Sequence, residues 1–164
     1  MITLQKVNKE NWKEACSVDI KPEQQKFLSS VTYCLARAYA NPYKEPIIPY
    51  VIVKYGVIVG FFWITFSDCG MNCILCGFRI DKRYQGLGYS KLALKEIVRL
   101  LKAEYTECVS IQLFVEKDNY AAMNLYDTFG FKVIDRNVGD LIHMLYLLKQ
   151  DSIPKIVTLD YLDD

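Results

Sequence analysis

Between Pro46 and Ile80 the chain carries three runs of β-branched and aromatic residues, Pro46 to Lys54, Val57 to Ser67 and Asn72 to Ile80, broken only at Tyr55-Gly56 and Asp68-Cys69-Gly70. Short apolar runs bounded by turn residues read as buried strands, and the Tyr55-Gly56 break reads as a hairpin turn. Past I80-D81-K82-R83-Y84-Q85-G86-L87-G88-Y89-S90-K91 the period changes: from Lys91 to Glu104, Leu94, Ile97, Val98 and Leu101 fall on one helical face. A chain that leaves a sheet through a glycine loop into an amphipathic helix must lay that helix back on the sheet.

The flanking segments fit the same layered plan. Thr3 to Val7 alternates as a first strand, and Asn11 is placed to cap a short helix from Trp12 to Val18. Pro22 opens a second helix; Phe27, Val31, Cys34, Leu35 and Ala38 give it one apolar face from Glu23 to Ala40, and Asn41-Pro42 stops it. Val109 to Val115 reads as a strand, Asn119 to Thr128 as a helix ending at Gly130, and Phe131 to Ile134 with Leu141 to Leu148 as a closing strand pair. The order predicts one α/β domain over residues 1–164, a mixed sheet between helices. The tail from Asp151 to Asp164 shows no helix period and is expected to pack loosely or reach a neighbouring subunit, as in a homodimer.

Bulk properties exclude several functions. The 164 residues are 52% hydrophobic and carry a net charge of +1, enough for one core and without the basic stripe that nucleic acid requires. The start, Met1 to Lys6, has no charged segment before an apolar signal core, and the apolar run Tyr55 to Phe66 is too short to cross a bilayer. A cytoplasmic protein with no membrane partner is expected. Cys69, Cys73 and Cys76 are closely spaced, but their spacing is not that of a zinc site, residues 73 and 76 of a strand point to opposite faces, and His143 is the single histidine. Buried thiols, and no metal, are expected.

Glycines at the start of a helix expose backbone N–H groups that lack intrahelical partners, and the helix dipole makes the place attractive to anions. The loop at Gly86 and Gly88 is therefore a phosphate-site candidate. It has neither the third glycine of the dinucleotide fingerprint, since position 91 is Lys, nor the G-K-[ST] of the Walker loop. Q85-G86-L87-G88-Y89-S90, following I80-D81 and Y84, instead resembles the acetyl-CoA pyrophosphate loop of the GNAT superfamily of N-acetyltransferases, [Q/R]-x-x-G-x-[G/A], with Ser90 departing at the last position. A second register, Arg83 to Gly88, fits the same pattern, but the first keeps the apolar-Asp-x-x-Tyr run ahead of the Gln. N119-Y120-A121-A122-M123-N124-L125-Y126-D127-T128-F129-G130-F131 resembles the superfamily's N-x-x-A-x-x-L-Y-x-x-x-G-F helix, with every fixed position filled.

The resemblance implies a GNAT-type mixed, twisted sheet flanked by helices on both faces, with acetyl-CoA as co-substrate and an amine as acceptor. It implies that N–H groups from Gly86, Leu87, Gly88, Tyr89, Ser90 and Lys91, behind Gln85, hold the pyrophosphate, and that the main chain of Phe78, Arg79 and Ile80 pairs with the pantetheine arm. One of those N–H groups would polarise the acetyl carbonyl. The sheet would splay between Phe78 and the strand before Asn119 to admit the arm. Asn119 would bond the pantetheine, and Tyr126, a phenol protonated at neutral pH, would give a proton to the departing thiolate.

The base stays open. The superfamily's acidic places read L75-C76-G77-F78 and Phe114 here, leaving Glu116, Asp68, a water chain or Cys76. The pattern from Gln24 to Ala38 is similar to that of bacterial spermidine/spermine and diamine acetyltransferases, which points to a small polyamine, with Glu23, Glu45, Asp68 and the tail aspartates as acidic surroundings. Acetylation of a protein N-terminus or lysine, and a non-catalytic acetyl-CoA sensor, are the alternatives.

Overall fold

The structure, a computed structural model, describes residues 1–41, 46–67 and 70–156. Seven strands, β1 (Ile2–Lys6), β2 (Ile48–Lys54), β3 (Val57–Ser67), β4 (Asn72–Ile80), β5 (Ser110–Glu116), β6 (Lys132–Val138) and β7 (Leu141–Leu147), form one sheet in the order β1-β2-β3-β4-β5-β7-β6. The helices are α1 (Trp12–Ala15), α2 (Val31–Ala40), α3 (Tyr89–Glu104) and α4 (Tyr120–Phe129). Hairpins make the β2-β3, β3-β4 and β6-β7 pairs antiparallel, whereas β4 and β5 are joined through α3 and so run parallel. Asp68, Cys69, Glu45 and residues 157–164 lie outside the described residues.

Each sheet face has its own core. Ala93, Leu94, Ile97 and Leu101 of α3 pack with Tyr126 of α4 on Phe62, Ile64, Leu75 and Leu113. On the other face Ala15 of α1 and Val31 and Cys34 of α2 cover Val51, Val53, Phe61 and Trp63. Cys73 belongs to the first core and Cys76 packs against the second, the opposite-face placement expected of a strand.

The long helix expected from Glu23 to Ala40 is two pieces, a correction to the periodicity reading. Residues Pro22–Gln24 make a short 3-10 turn, and α2 begins only at Val31, where the Ser30 hydroxyl accepts the Tyr33 N–H at 3.1 Å. A serine that can cap offers the backbone a competing bond, and here the cap wins over the apolar spacing. α1 is also shorter than expected, ending at Ala15. Asn11 stands at its N-cap position without a side-chain cap bond; its side chain accepts the Asn8 N–H at 2.8 Å and donates to the Lys6 carbonyl at 3.1 Å. Within the described part of the C-terminal segment, the Gln112 amide donates to the Lys155 carbonyl at 2.9 Å. Among the described residues no helix is long and apolar enough to cross a membrane.

Two irregularities in β4 shape the site. The parallel ladder with β5 has only three registered pairs, Asn72 with Ser110, Cys73 with Ile111 and Ile74 with Gln112, after which the strands diverge. On the β3 side the register slips: Phe61 faces Arg79 but Trp63 faces Cys76, so β4 carries one extra residue. Gly77 has φ +61, which marks a bulge of the kind a left-handed glycine makes.

Candidate active site

The divergence of β4 from β5 opens a cleft, and two cavities meet in it. The first, about 270 Å³, is bounded by Phe78, Ile80, Gly86, Ser90 and Asn119. The second, about 240 Å³, is bounded by Trp63, Cys76, Phe114, Glu116 and Leu141. Phe27, Leu28, Phe78, Asn119, Ala122 and Tyr126 line both, so these side chains stand at the junction.

The glycine loop reaches the cleft because of its backbone. Gly86 (φ +79) and Gly88 (φ +75) are both left-handed, and Gly88 is the N-cap of α3. A Cβ built on either would meet nothing within 4 Å, so an open face lies over N–H groups at the start of a sixteen-residue helix. That is the shape a pyrophosphate needs, and the residues fit it. The loop is anchored below by Asp81, which is fully buried and takes the Arg83 guanidinium at 2.8 and 3.0 Å and the backbone N–H groups of Arg83 and Asp19 at 2.9 and 3.0 Å. Burial pushes the Asp81 carboxyl up, but Arg83 and these two N–H groups together hold it below the usual carboxylate range.

The Gln85 side chain fastens the loop from within. Its amide nitrogen donates to the Ile80 carbonyl and to Gln24 Oε1, both at 2.9 Å, closing the loop on the end of β4 and tying it to the 22–24 turn. The same stretch is tied on its other side by the Lys26–Asp118 ion pair at 2.6 Å, so residues 19–28 form a strap across the cleft. The sequence reading missed the strap because its contacts are 61 and 92 residues away along the chain.

Tyr126 sits in the last turn of α4, where its carbonyl accepts both the Gly130 and Phe131 N–H groups. Its ring lies 6.4 Å from Phe78 and 5.4 Å from Phe131. Burial, reinforced by Cys76, pushes its phenol well above the ordinary tyrosine value, so it stays protonated at any physiological pH. Burial likewise pushes the Cys76 thiol well up against the opposing pull of Arg37, which removes Cys76 as a base. Asn119 caps α4, its Oδ1 accepting the Ala122 N–H at 3.2 Å, and lines both cavities.

Of the twelve residues expected to hold acetyl-CoA, the structure brings Phe78, Arg79, Ile80, Gln85, Gly86, Ser90, Asn119 and Tyr126 to the first cavity. Leu87, Gly88, Tyr89 and Lys91 do not line it; Gly88 shapes the helix start, Leu87 and Lys91 are exposed, and Tyr89 packs against the first core. Glu23 is exposed away from both cavities. Among the described residues, Glu116 is the one carboxylate lining the second cavity; it is half-buried at the end of β5. His143 is buried, stacked on Phe114 at 4.1 Å and bonded to Gln112 at 2.9 Å, with burial pushing its imidazole down to about 4, so it is a neutral core residue.

A splayed parallel pair with an uncovered helix start on one side and a phenol at the junction has the shape that an acyl carrier needs. Residues 8–131 match the sequence profile of the acetyltransferase (GNAT) family. The chain is 30% identical over 137 residues, 80% of its length and 88% of the other, to a spermine/spermidine N(1)-acetyltransferase of Bacillus subtilis (strain 168). Its fold is similar to that of the spermidine N-acetyltransferase of Vibrio cholerae in complex with CoA and spermine, with a TM-score of 0.72 at 13% identity, covering 90% of this chain and 95% of that one. It is also similar to the PaiA N-acetyltransferase of Thermoplasma acidophilum in complex with coenzyme A, with a TM-score of 0.66 at 17% identity, covering 90% and 99%. The chain belongs to the GNAT acetyltransferase family, and acetyl-CoA is its co-substrate.

Proposed function

We propose that this acetyltransferase transfers the acetyl group to a primary amine of a small polyamine or diamine. The observation that carries the reading is the junction of the two cavities at Tyr126 and Phe78, which separates a phosphate-binding side from a side that ends at a carboxylate. The similarity to the Bacillus spermine/spermidine enzyme supports the choice of amine. A second cavity of about 240 Å³, narrowed by Phe27 and Leu28 of the strap, suits a slender amine better than a polypeptide chain.

Acetyl-CoA supplies the activated acyl group; the remaining work falls to this chain. The N–H groups at the start of α3 would hold the pyrophosphate, with Gly86 and Gly88 admitting it, and the exposed β4 backbone at Phe78 to Ile80 would hold the arm. Asn119 has its oxygen committed to the α4 cap and its amide nitrogen left for the arm. Tyr126 would protonate the leaving sulfur, and Glu116 would take the proton from the amine, directly or through water, or pair with the distal ammonium. Assembly as a homodimer belongs to this proposal too, and sedimentation would decide it.

Turnover with acetyl-CoA across spermidine, spermine, short diamines, amino acids and peptides tests the substrate. Diamines or polyamines are expected to lead, and a peptide or amino acid turned over in their place sinks that choice. Glu116→Gln is expected to lower kcat/KM for the amine by about 10²-fold with acetyl-CoA affinity kept, the scale of one lost proton acceptor; an unaffected variant would exclude Glu116.

A further inference from the structure

One buried charge has no part in the chemistry so far. Arg79 is 5% exposed, and no carboxylate among the described residues pairs with it. A guanidinium without a counter-ion is costly inside a protein, so what its N–H groups hold is informative. Nε donates to the Gly77 carbonyl at 3.0 Å, Nη1 donates to the Ser29 carbonyl at 2.6 Å, and Nη2 lies 3.9 Å from the Cys34 sulfur. The Phe61 ring lies beneath, 5.7 Å from the guanidinium carbon.

The first of these bonds falls at the bulge. Gly77 and Phe78 have no partner in the β3 register, so the ladder does not fix the plane of the peptide between them, and the glycine on its N-terminal side makes rotation easy. The peptide is trans and planar, with its C=O and N–H pointing in opposite directions. Whatever holds the Gly77 carbonyl therefore aims the Phe78 N–H. Trp63 and Arg79 also close on Gly77 itself: a Cβ there would meet Trp63 Cδ1 and Nε1 at 3.1 Å and Arg79 Nη2 at 3.3 Å. Phe78 lines both cavities beside Tyr126.

We infer that Arg79 is a positioning residue: by holding the Gly77 carbonyl it turns the Phe78 N–H toward the place where the acetyl carbonyl must lie, and so keeps the oxyanion donor formed before substrate arrives. This rests on the reading of the cleft as the acetyl-CoA site. The bond to Ser29 adds rigidity, because it fastens the same guanidinium to the start of α2, next to Leu28 at the cavity junction.

The test is isotope-edited infrared spectroscopy of acetyl-CoA labelled with ¹³C at the thioester carbonyl, bound to the full chain, together with kinetics and calorimetry. In the wild-type protein the carbonyl band should move to lower frequency on binding. Arg79→Met and Arg79→Lys should lose that shift and lose about 10²-fold in kcat, the scale for one missing oxyanion donor. They should bind CoA, which has no acetyl carbonyl, within about threefold of wild type, an outcome that general damage to the fold would not give. A folded variant that keeps both the shift and kcat overturns the inference, as does a wild-type complex with no shift, which needs no variant to fold. Failure of the site reading would look different: Gly88→Val would bind CoA as well as wild type does.

Discussion

The two ends of the β4–β5 pair are opposites. At the Asn72 end three parallel pairs are closed, and the buried side chains satisfy one another: the Ser110 hydroxyl donates to Asn72 Oδ1 at 2.8 Å, and the Gln112 amide lies 3.2 Å from Ser110. At the other end the strands diverge, β4 bulges, and the exposed backbone faces cavities. The same two strands are thus scaffold at one end and site at the other. A parallel sheet gives up hydrogen bonds where it must receive a ligand, and the paired end carries the cost.

If that division holds, damage at the open end should remove function and spare the fold. The largest effect is expected from Gly88→Val. A β-branched residue at φ +75 is strained, and its side chain covers the N–H groups at the helix start. Calorimetry should detect no acetyl-CoA binding, with the melting transition lowered only by the few degrees that about 1–2 kcal/mol of backbone strain costs.

Next comes Tyr126→Phe, which preserves the ring against Phe78 and Phe131 and removes only the donor; kcat should fall by about 10²–10³-fold with acetyl-CoA affinity unchanged. Because the phenol is pushed above its ordinary value, wild-type kcat should not fall as pH rises toward 10, and kcat/KM should climb as the amine loses its proton. Normal kcat in the variant would take the proton-donor role from Tyr126.

The paired end should respond in the reverse way. Ser110→Ala removes the buried hydrogen bond to the Asn72 oxygen and should cost about 1–3 kcal/mol of stability in urea unfolding, with kcat intact. A large loss of kcat there would erase the contrast between the ends.

An effect confined to acid pH, and absent at neutrality, concerns His143, under the same scaffold. Its folded value is lowered to about 4 against roughly 6.5 when unfolded, so between these values the unfolded chain binds the proton and the folded one does not. Stability should therefore be full above about pH 6.5 and decline toward pH 4, by on the order of 2–3 kcal/mol in total. His143→Gln should flatten that slope in urea titrations, leaving only the carboxylate background.

The order of strands and helices along the chain was legible because each is written in neighbouring residues, in runs of β-branched residues and a change of period at Gly88, while the resemblance of the segment from Asn119 to Phe131 drew attention to Tyr126, whose ring lines the cleft. The splay of the sheet beside Phe78, which the family resemblance implied, is found. What was illegible depends on distant partners. The strap needs Gln24 to meet Gln85 and Lys26 to meet Asp118, and Arg79 finds Ser29 fifty residues away. Two local signals were present and unread: Ser29-Ser30 as a cap inside an apolar helical period, and Gly77 inside a strand, which is the usual mark of a bulge.

Gly77 also acts as a parity switch. Before it, the odd-numbered residues Cys73 and Leu75 lie in the core beneath α3; after it, the even-numbered Phe78 and Ile80 do. One inserted residue resets the two-residue count of the strand, so both halves bury their apolar side chains on the same face. If the same residues ran as a regular strand, with Gly77 in the pleat instead of in a bulge, Phe78 would turn toward α2 and Arg79 would be driven into the apolar core. The irregular position is therefore what lets a single strand belong to both the scaffold and the site.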